Sequence, residues 1–470
     1  MQARRHRNAT ASFIATGLLA LLLATSAPVL AQDATVSARL GVRASQLDAS
    51  YWIERQRAPD RILLDRDAVA TLNVALQASE PTLHDLEALP PTLEAEQVRA
   101  WVEAISIAPT RTLYDANGDE GSQRAVDRLM ASLALQSIPQ TQVTRYGLVV
   151  QRADLRRFPS RLRVFNAPGD TDIDRFQESA LFPGTPVAIV HESRDRAWHF
   201  VVSPNYAAWI EKRHVAEGQK ADVLAYGRRS PFAVVTGATV RTAYTPTQPQ
   251  VSELQLDMGV RMPVLADWPQ DRTVNGQHPG FSRVVELPIR TEAGALDFSP
   301  ALLPRSADVA DDYLPLTRAN LLRQAFKFLG ERYGWGHDYG ARDCSGFVAE
   351  VYRSFGLHLP RNTGDQAGMR ALDRVGLDAA MTRETRLELL RKSEPGDLVY
   401  IPGHVMMVVG HEDDTTWVIH DIHGMHLRGA DGSVQRLLLN GVVVTPLSPM
   451  LAADGTPIVD HVTALQRVRP

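Results

Sequence analysis

The sequence predicts a multidomain protein in which a helical N-terminal segment and two small all-β barrels precede a C-terminal α+β domain. Three observations carry this reading. The 470 residues exceed one typical domain, so several cores are expected. The apolar period changes along the chain, from helical spacing to short strands near residue 141, and to a mixture of both after residue 313. The single cysteine, Cys344, stands where a Gly-rich loop gives way to an amphipathic helix.

The first 31 residues have the layout of a secretory signal peptide. Arg4, Arg5 and Arg7 precede an uncharged apolar run over 13–24, and Val29-Leu30-Ala31 leads to a cut ahead of Gln32. A permanent anchor would need an apolar span of roughly 18 to 20 residues. The expectation is an exported protein, periplasmic or extracellular, with no stable membrane anchor after signal cleavage. Losing three arginines and no acid moves the formal net charge from −4 to −7. A mildly acidic mature chain argues against nucleic acid or an anionic membrane surface as partner.

Residues 32–140 read as a helical segment. Val98, Trp101, Val102 and Ile105 share one helical face, a second helix is expected over 124–135, and Leu89-Pro90-Pro91 interrupts the run. Such a segment is expected to wrap around other domains. Over 141–225 short strands are expected at 146–150, 162–165, 186–191 and 198–202, with Trp209-Ile210 after a turn. Pro168-Gly169-Asp170 and Pro183-Gly184 mark turns. A second β domain over 226–305 is expected to hold strands at 232–235, 262–266 and 284–289, with a turn-rich link over 268–280. Residues 300–312 read as a linker. The last domain, 313–450, opens with a helix over 316–329, capped by Thr317 and apolar along Leu321, Ala325, Phe328 and Leu329. The helix after Cys344 carries Phe347, Val348, Val351, Tyr352 and Phe355 and stops at Gly356. Strands are expected at 398–401, 405–409 and 417–419.

An exported chain with one cysteine forms no internal disulfide, so Cys344 is either a buried apolar group or a chemical one. The start of a helix favours a thiolate, and its free N–H groups suit an oxyanion. His404 and His420 lie on two downstream strands. If the strands are neighbours, His404 shuttles the thiol proton and His420 fixes its tautomer, with the thiol ionised at neutral pH. Asp421 and His423 compete for the third role. Histidines at 404, 411, 420, 423 and 426 raise a metal alternative, but 420 and 423 face opposite sides of a strand and no HExxH pattern is present. No metal or other cofactor is expected.

These residues resemble the NlpC family of bacterial cell-wall cysteine peptidases. The resemblance runs, in order across about 320–425, through Tyr333, Trp335 and Gly336, then Asp343-Cys344-Ser345-Gly346-Phe347-Val348, Leu359-Pro360-Arg361 and Asp365-Gln366. It continues with Pro395-Gly396-Asp397-Leu398, His404-Val405 and His420. It implies a papain-like α+β domain, Cys344 as nucleophile, His404 as base and His420 as third polar member. It also implies Tyr333 near the reacting carbonyl, and Asp343 and Ser345 as positions that help bind a peptide. Helix capping suits Asp343 and Ser345 equally, and a structural ion pair suits Arg361 equally. His337 stands where the family often has a second glycine; a side chain there would narrow the cleft or touch substrate. Upstream, residues 152–156, Phe158-Pro159, 174–177, 183–186 and Trp198 resemble the first bacterial SH3-like domain found beside some such peptidases. The next β stretch would be a second one, and 32–140 a stabilising segment. In some relatives the first SH3-like domain caps the cleft and favours stem peptides with a free N-terminal L-alanine; Tyr206 is a candidate contact.

The implied function is a secreted cysteine endopeptidase that cuts the γ-D-glutamyl–diamino acid bond of peptidoglycan stem peptides or muropeptides through a thioester. A catalytically inactive murein-binding protein, and a thiol acyltransferase or amidase of related fold, are the alternatives.

Overall fold

The computed structural model describes residues 35–468; the signal-like segment 1–31 lies outside the described residues. The C-terminal domain is built on a six-stranded antiparallel sheet, in the order Asp373–Gly376, Ala464–Arg467, Leu398–Ile401, His404–Glu412, Thr415–Arg428, Val434–Pro446. The helices Arg318–Phe326 and Cys344–Arg353 share one core with it. Thr317 caps the first helix, accepting from the Asn320 N–H at 3.1 Å. The second is held by Phe347, Val348, Val351 and Tyr352, all at 0% exposure. Each such buried apolar side chain contributes roughly 1.5–3 kcal/mol, so the N-terminal end of this helix is a fixed platform. Gly356 follows with φ +82°, a left-handed turn that residues with a Cβ resist.

Ala464–Arg467 pairs with Asp373–Gly376 on one side and Leu398–Ile401 on the other. The domain therefore runs past the expected boundary at 450. The strand is only four residues long, too short for its alternation to register in sequence. The strand expected at 417–419 is also much longer, Thr415–Arg428.

The first β domain has a seven-stranded sheet ordered Val215–Gly218, Arg145–Val149, Pro186–Glu192, Trp198–Ser203, Tyr206–Glu211, Ala153–Arg156, Gln177–Leu181. The strand expected at 162–165 is absent. That stretch curls around the Arg156 guanidinium, which donates to the Ser160 and Leu162 carbonyls at 3.2 and 2.6 Å. Phe165 makes one isolated bridge, to Tyr114. In the second β domain Phe232–Val235 pairs with Arg261–Pro263 and Val309–Ala310, and Ser282–Arg290 forms a long hairpin with Leu296–Pro304. The expected linker at 300–312 thus begins inside a strand. Pro300 lies in an edge strand of this two-stranded ribbon, where a missing N–H is tolerated.

The N-terminal segment divides between two cores. Leu40, Val42, Trp52, Leu63, Val69 and Leu76 join the core of the C-terminal domain, where the Trp52 ring lies 5.5 Å from that of Trp417. Leu93, Val98, Val102, Leu129 and Leu133 join the core of the first β domain. The segment mixes the helices Arg66–Ser79, Ala95–Ile105 and Gln123–Ser132 with short strands such as Ile62–Leu64, which pairs with Leu316–Thr317.

Candidate active site

Cys344 is the first residue of its helix, and Asp343 is the N-cap, accepting from the Gly346 N–H at 2.9 Å. The sulfur lies 3.6 Å from the Thr363 hydroxyl and is 5% exposed. His404 opens its strand directly after the turn Pro402-Gly403, which joins it to Leu398–Ile401 in a tight hairpin. Gly403 has φ +77°, the value a type II turn demands after proline. Neighbouring strands then bring His420 to His404.

His404 Nε2 and His420 Nδ1 are 2.8 Å apart, and His420 Nε2 is 2.9 Å from the Thr445 hydroxyl. Thr445 donates in turn to the sulfur of Met450 at 3.8 Å. If the Thr445 O–H points at the Met450 sulfur, its oxygen is free to accept from His420 Nε2–H; His420 Nδ1 then accepts from His404 Nε2–H, and the lone pair of His404 rests on Nδ1. Thr445 was not read from the sequence as part of the site. It sits on the strand Val434–Pro446, and only register brings it there.

Burial decides the charges. It lifts the Cys344 thiol to about 12, helped by the Asp343 charge and opposed by Thr363 and the Val405 N–H. It lowers the His404 imidazole to about 4, against the Asp343 charge, and holds His420 well below its ordinary value, with His404 adding to the effect. The resting pair is a neutral thiol and a neutral imidazole, not the thiolate expected from the helix start. Desolvation outweighs the helix dipole here. Tyr333 is 7% exposed and kept protonated by burial first and by the nearby Cys344 and Asp343 next, so it presents an O–H donor.

The comparisons with known proteins follow this geometry. Residues 330–435 match the NlpC/P60 family, and residues 163–211 match an SH3 domain of the SH3b1 type. Residues 330–435 form an NlpC/P60 domain. A γ-D-glutamyl-L-lysine dipeptidyl-peptidase of Bacillus cereus is 28% identical over 210 residues, which are 42% of this chain and 56% of that protein. The chain thus spans little more than half the length of that relative. An NlpC/P60 endopeptidase from Photobacterium damselae subsp. piscicida shares the fold over 90% of this chain and 96% of its own, with TM-score 0.71 at 18% identity. An NlpC/P60 family protein from Bacillus cereus aligns over 69% of this chain and 100% of its own, at 19% identity and TM-score 0.45.

Within the NlpC/P60 domain, Asp343 and Ser345 belong to a buried network. Arg361 donates to Asp343 at 2.8 Å, to the Ser345 hydroxyl at 2.9 Å and to the Ser179 hydroxyl of the SH3 domain at 2.7 Å. Asp343 also accepts from the Gly336 N–H at 2.9 Å. Burial alone would raise this carboxyl; Arg361, with His337 and the Gly346 N–H, brings it down to about 2. The side chains of Asp343 and Ser345 therefore serve capping and ion pairing, and Arg361 is the structural partner that ties the SH3 domain to the nucleophile segment.

His337 does not narrow the cleft. Its φ of +64° turns the ring inward, where Nδ1 accepts from Arg361 at 3.0 Å and Nε2 meets Glu350 at 3.0 Å. His423 is taken by Asp172 and Arg436 at 3.2 and 2.9 Å, away from His404. Asp421 is fully buried, and among the described residues neither of its oxygens has a hydrogen-bond partner. Of the three candidates for the third position, His420 alone contacts His404. The SH3 domain closes one side of the site: Gln177 donates to the Gly336 carbonyl at 2.8 Å, and Trp335 donates to the Gln177 carbonyl at 3.1 Å. Tyr206 donates to Glu178 at 2.7 Å.

Proposed function

We propose that this chain is an exported cysteine endopeptidase that hydrolyses the γ-D-glutamyl–diamino acid bond of peptidoglycan stem peptides. The observation that carries the reading is the chain of contacts from His404 through His420 and Thr445 to Met450, beside the strand start whose Val405 N–H reaches the Cys344 sulfur; in this reading it leaves the lone pair of His404 on Nδ1. The named activity of the Bacillus cereus relative supports the substrate class. The basic and apolar start of the sequence supports export. Residues 226–305 serve in this reading as a second SH3-like domain, and 32–140 as the stabilising segment.

The neutral resting pair sets the order of events. His404 Nδ1 takes the thiol proton as the sulfur attacks the γ-carbonyl carbon, so proton transfer and C–S bond formation are coupled. The carbonyl oxygen becomes an oxyanion. The Cys344 N–H, which has no acceptor inside its helix, and the Tyr333 O–H are the donors nearest to hand. Collapse breaks the C–N bond, and the leaving amine of the diamino acid takes the proton from His404. Water then gives a proton to His404 and adds to the thioester. The C–S bond breaks, the γ-carboxylate leaves, and the thiol regains its proton. His420 acts as a positioning residue throughout, holding the tautomer by a neutral hydrogen bond.

The test is digestion of muropeptides by protein beginning at Gln32, read by mass spectrometry. Products ending in a free D-glutamyl γ-carboxyl are expected, with none from Cys344→Ala. Undiminished cleavage by Cys344→Ala rejects the mechanism, and products carrying a new amide or ester in place of the carboxyl reject hydrolysis.

A further inference from the structure

His423, which plays no part in the contacts of His404, belongs to a second arrangement beside Tyr333. The Tyr333 hydroxyl has no hydrogen-bond partner among the described residues, so only the frame around the ring fixes where its O–H points. Three residues make that frame. Arg332 precedes Tyr333 in the chain. Asn440, on the strand Val434–Pro446, accepts from the Tyr333 N–H with its carbonyl at 3.1 Å. The His423 ring lies 6.1 Å from the Tyr333 ring, centre to centre.

All three converge on one carboxylate of the SH3 domain. Asp172 accepts from the Arg332 guanidinium, from His423 Nε2 at 3.2 Å and from the Asn440 side-chain amide at 3.3 Å. Arg436 donates to His423 Nδ1 at 2.9 Å, which leaves the ring proton on Nε2, facing Asp172. The Tyr339 hydroxyl donates to the Thr171 carbonyl at 2.9 Å, so the same turn also meets the loop that leads to Cys344. Residues 166–171 are exposed, but both ends of this loop are fixed. Phe165 is buried and bridges to Tyr114. Asp174 is buried, pairs with Arg156 at 2.6 Å and accepts from the Val164 and Phe176 N–H groups at 3.2 and 3.0 Å. A short loop anchored in this way has little freedom left to lose when its carboxylate binds. Arg332 is 51% exposed, and an ion pair of that kind adds little to stability. What the contact governs is geometry.

We propose that Asp172 is a positioning residue for Tyr333: by holding Arg332, His423 and Asn440 together, it fixes the direction of the phenol O–H toward the carbonyl that Cys344 attacks. Asp172 itself touches no substrate. The inference rests on the peptidase reading above and deepens it, because it gives the loop over 166–172 a part in the rate of the reaction. An oxyanion donor acts within about 2.7–3.1 Å of the oxygen it serves. Misplacing a reacting group by about 1 Å can lower the rate about a hundredfold.

The test is a double-mutant cycle on muropeptide cleavage. Tyr333→Phe should lower kcat by about a hundred- to a thousandfold, the usual cost of an oxyanion donor. Asp172→Ala only loosens that donor and should lower kcat by about tenfold, with KM changed less than about twofold. Asp172→Asn keeps one acceptor oxygen and should recover most of the rate. The double variant should be no slower than Tyr333→Phe alone, because a residue that acts through the phenol has nothing to act on once the hydroxyl is gone. Losses that multiply overturn the proposal, as does an unchanged kcat in Asp172→Ala or a loss carried wholly by KM. A second measurement needs no turnover. In Cys344→Ala carrying 3-fluorotyrosine, the fluorine resonance of residue 333 is identified by its loss in Tyr333→Phe. Asp172→Ala should shift or broaden that line and leave that of Tyr226, which stacks on Phe298 in another part of the chain, in place. A Tyr333 line that stays where it was rejects the positioning role. If the line moves and the unaltered chain cuts no muropeptide, the peptidase reading fails and the hold of Asp172 on Tyr333 stands.

Discussion

Asp421 offers a direct measure of how strongly burial governs this site. Its carboxyl is at 0% exposure with both oxygens unpartnered among the described residues. Burial first, then the Asp343 and Glu331 charges, hold it well above its ordinary 3.8. The folded chain therefore keeps a proton that the unfolded chain releases near pH 4. Where the folded state binds more protons, stability falls as pH rises, beginning at the unfolded value and ending at the folded one. Each pH unit over which the folded group stays protonated and the unfolded group does not costs about 1.4 kcal/mol. Asp421→Asn cannot ionise and escapes it. The variant should match the wild type near pH 4 and become steadily more resistant to urea by pH 7. Urea unfolding of both proteins at four pH values, followed by tryptophan fluorescence, cancels the groups they share. A stability difference independent of pH, or a wild type more stable than the variant at pH 7, refutes the buried neutral acid.

Three more outcomes follow from the candidate catalytic groups. With the thiol lifted to about 12 by burial, its thiolate is scarce at neutral pH. Alkylation of Cys344 by iodoacetamide should therefore rise about tenfold per pH unit between pH 6 and 9, and a plateau in that range would contradict the neutral pair. In the same protein kcat/KM should fall on the acid side only near pH 4, where His404 gains its second proton. Thr445→Val removes the acceptor of the His420 Nε2–H. It should lower kcat by about ten- to a hundredfold with KM little changed, since general-base catalysis of this kind is worth about that much or more; an equal rise in KM would place Thr445 at the substrate instead.

The residues proposed to carry the chemistry have local signals in the sequence. Cys344 marks a loop-to-helix junction, His404 follows a Pro-Gly turn, and His420 ends an apolar strand. Thr445 was not legible: it lies 25 residues from His420, and only antiparallel register joins them. His337 was misread because a side chain at a glycine-like position was assumed to face the cleft, whereas its positive φ sends the ring into the interior. The ionised thiol failed for a related reason, since a sequence shows the helix start but not the depth of burial. Among the strands, 162–165 alternated well enough to deceive: the Arg156 side chain takes the Leu162 carbonyl, and the backbone N–H groups of Arg175 and Tyr114 take those of Val164 and Phe165 without building a ladder. Ala464–Arg467 was missed because four residues carry too little period.

Trp52 belongs to a core whose other half is encoded at the opposite end of the gene product. It packs on Trp417, while Arg43 and Glu412, 369 positions apart, form an ion pair beside it. Such a core cannot close behind a ribosome in the order of synthesis, as successive domains usually do. Its early third must wait, with greasy side chains unshielded, until the last sheet strand has been made. Closure of this one core is therefore a late event, and a chain cut short before Ala464 would leave Leu398–Ile401 without one of its two neighbours.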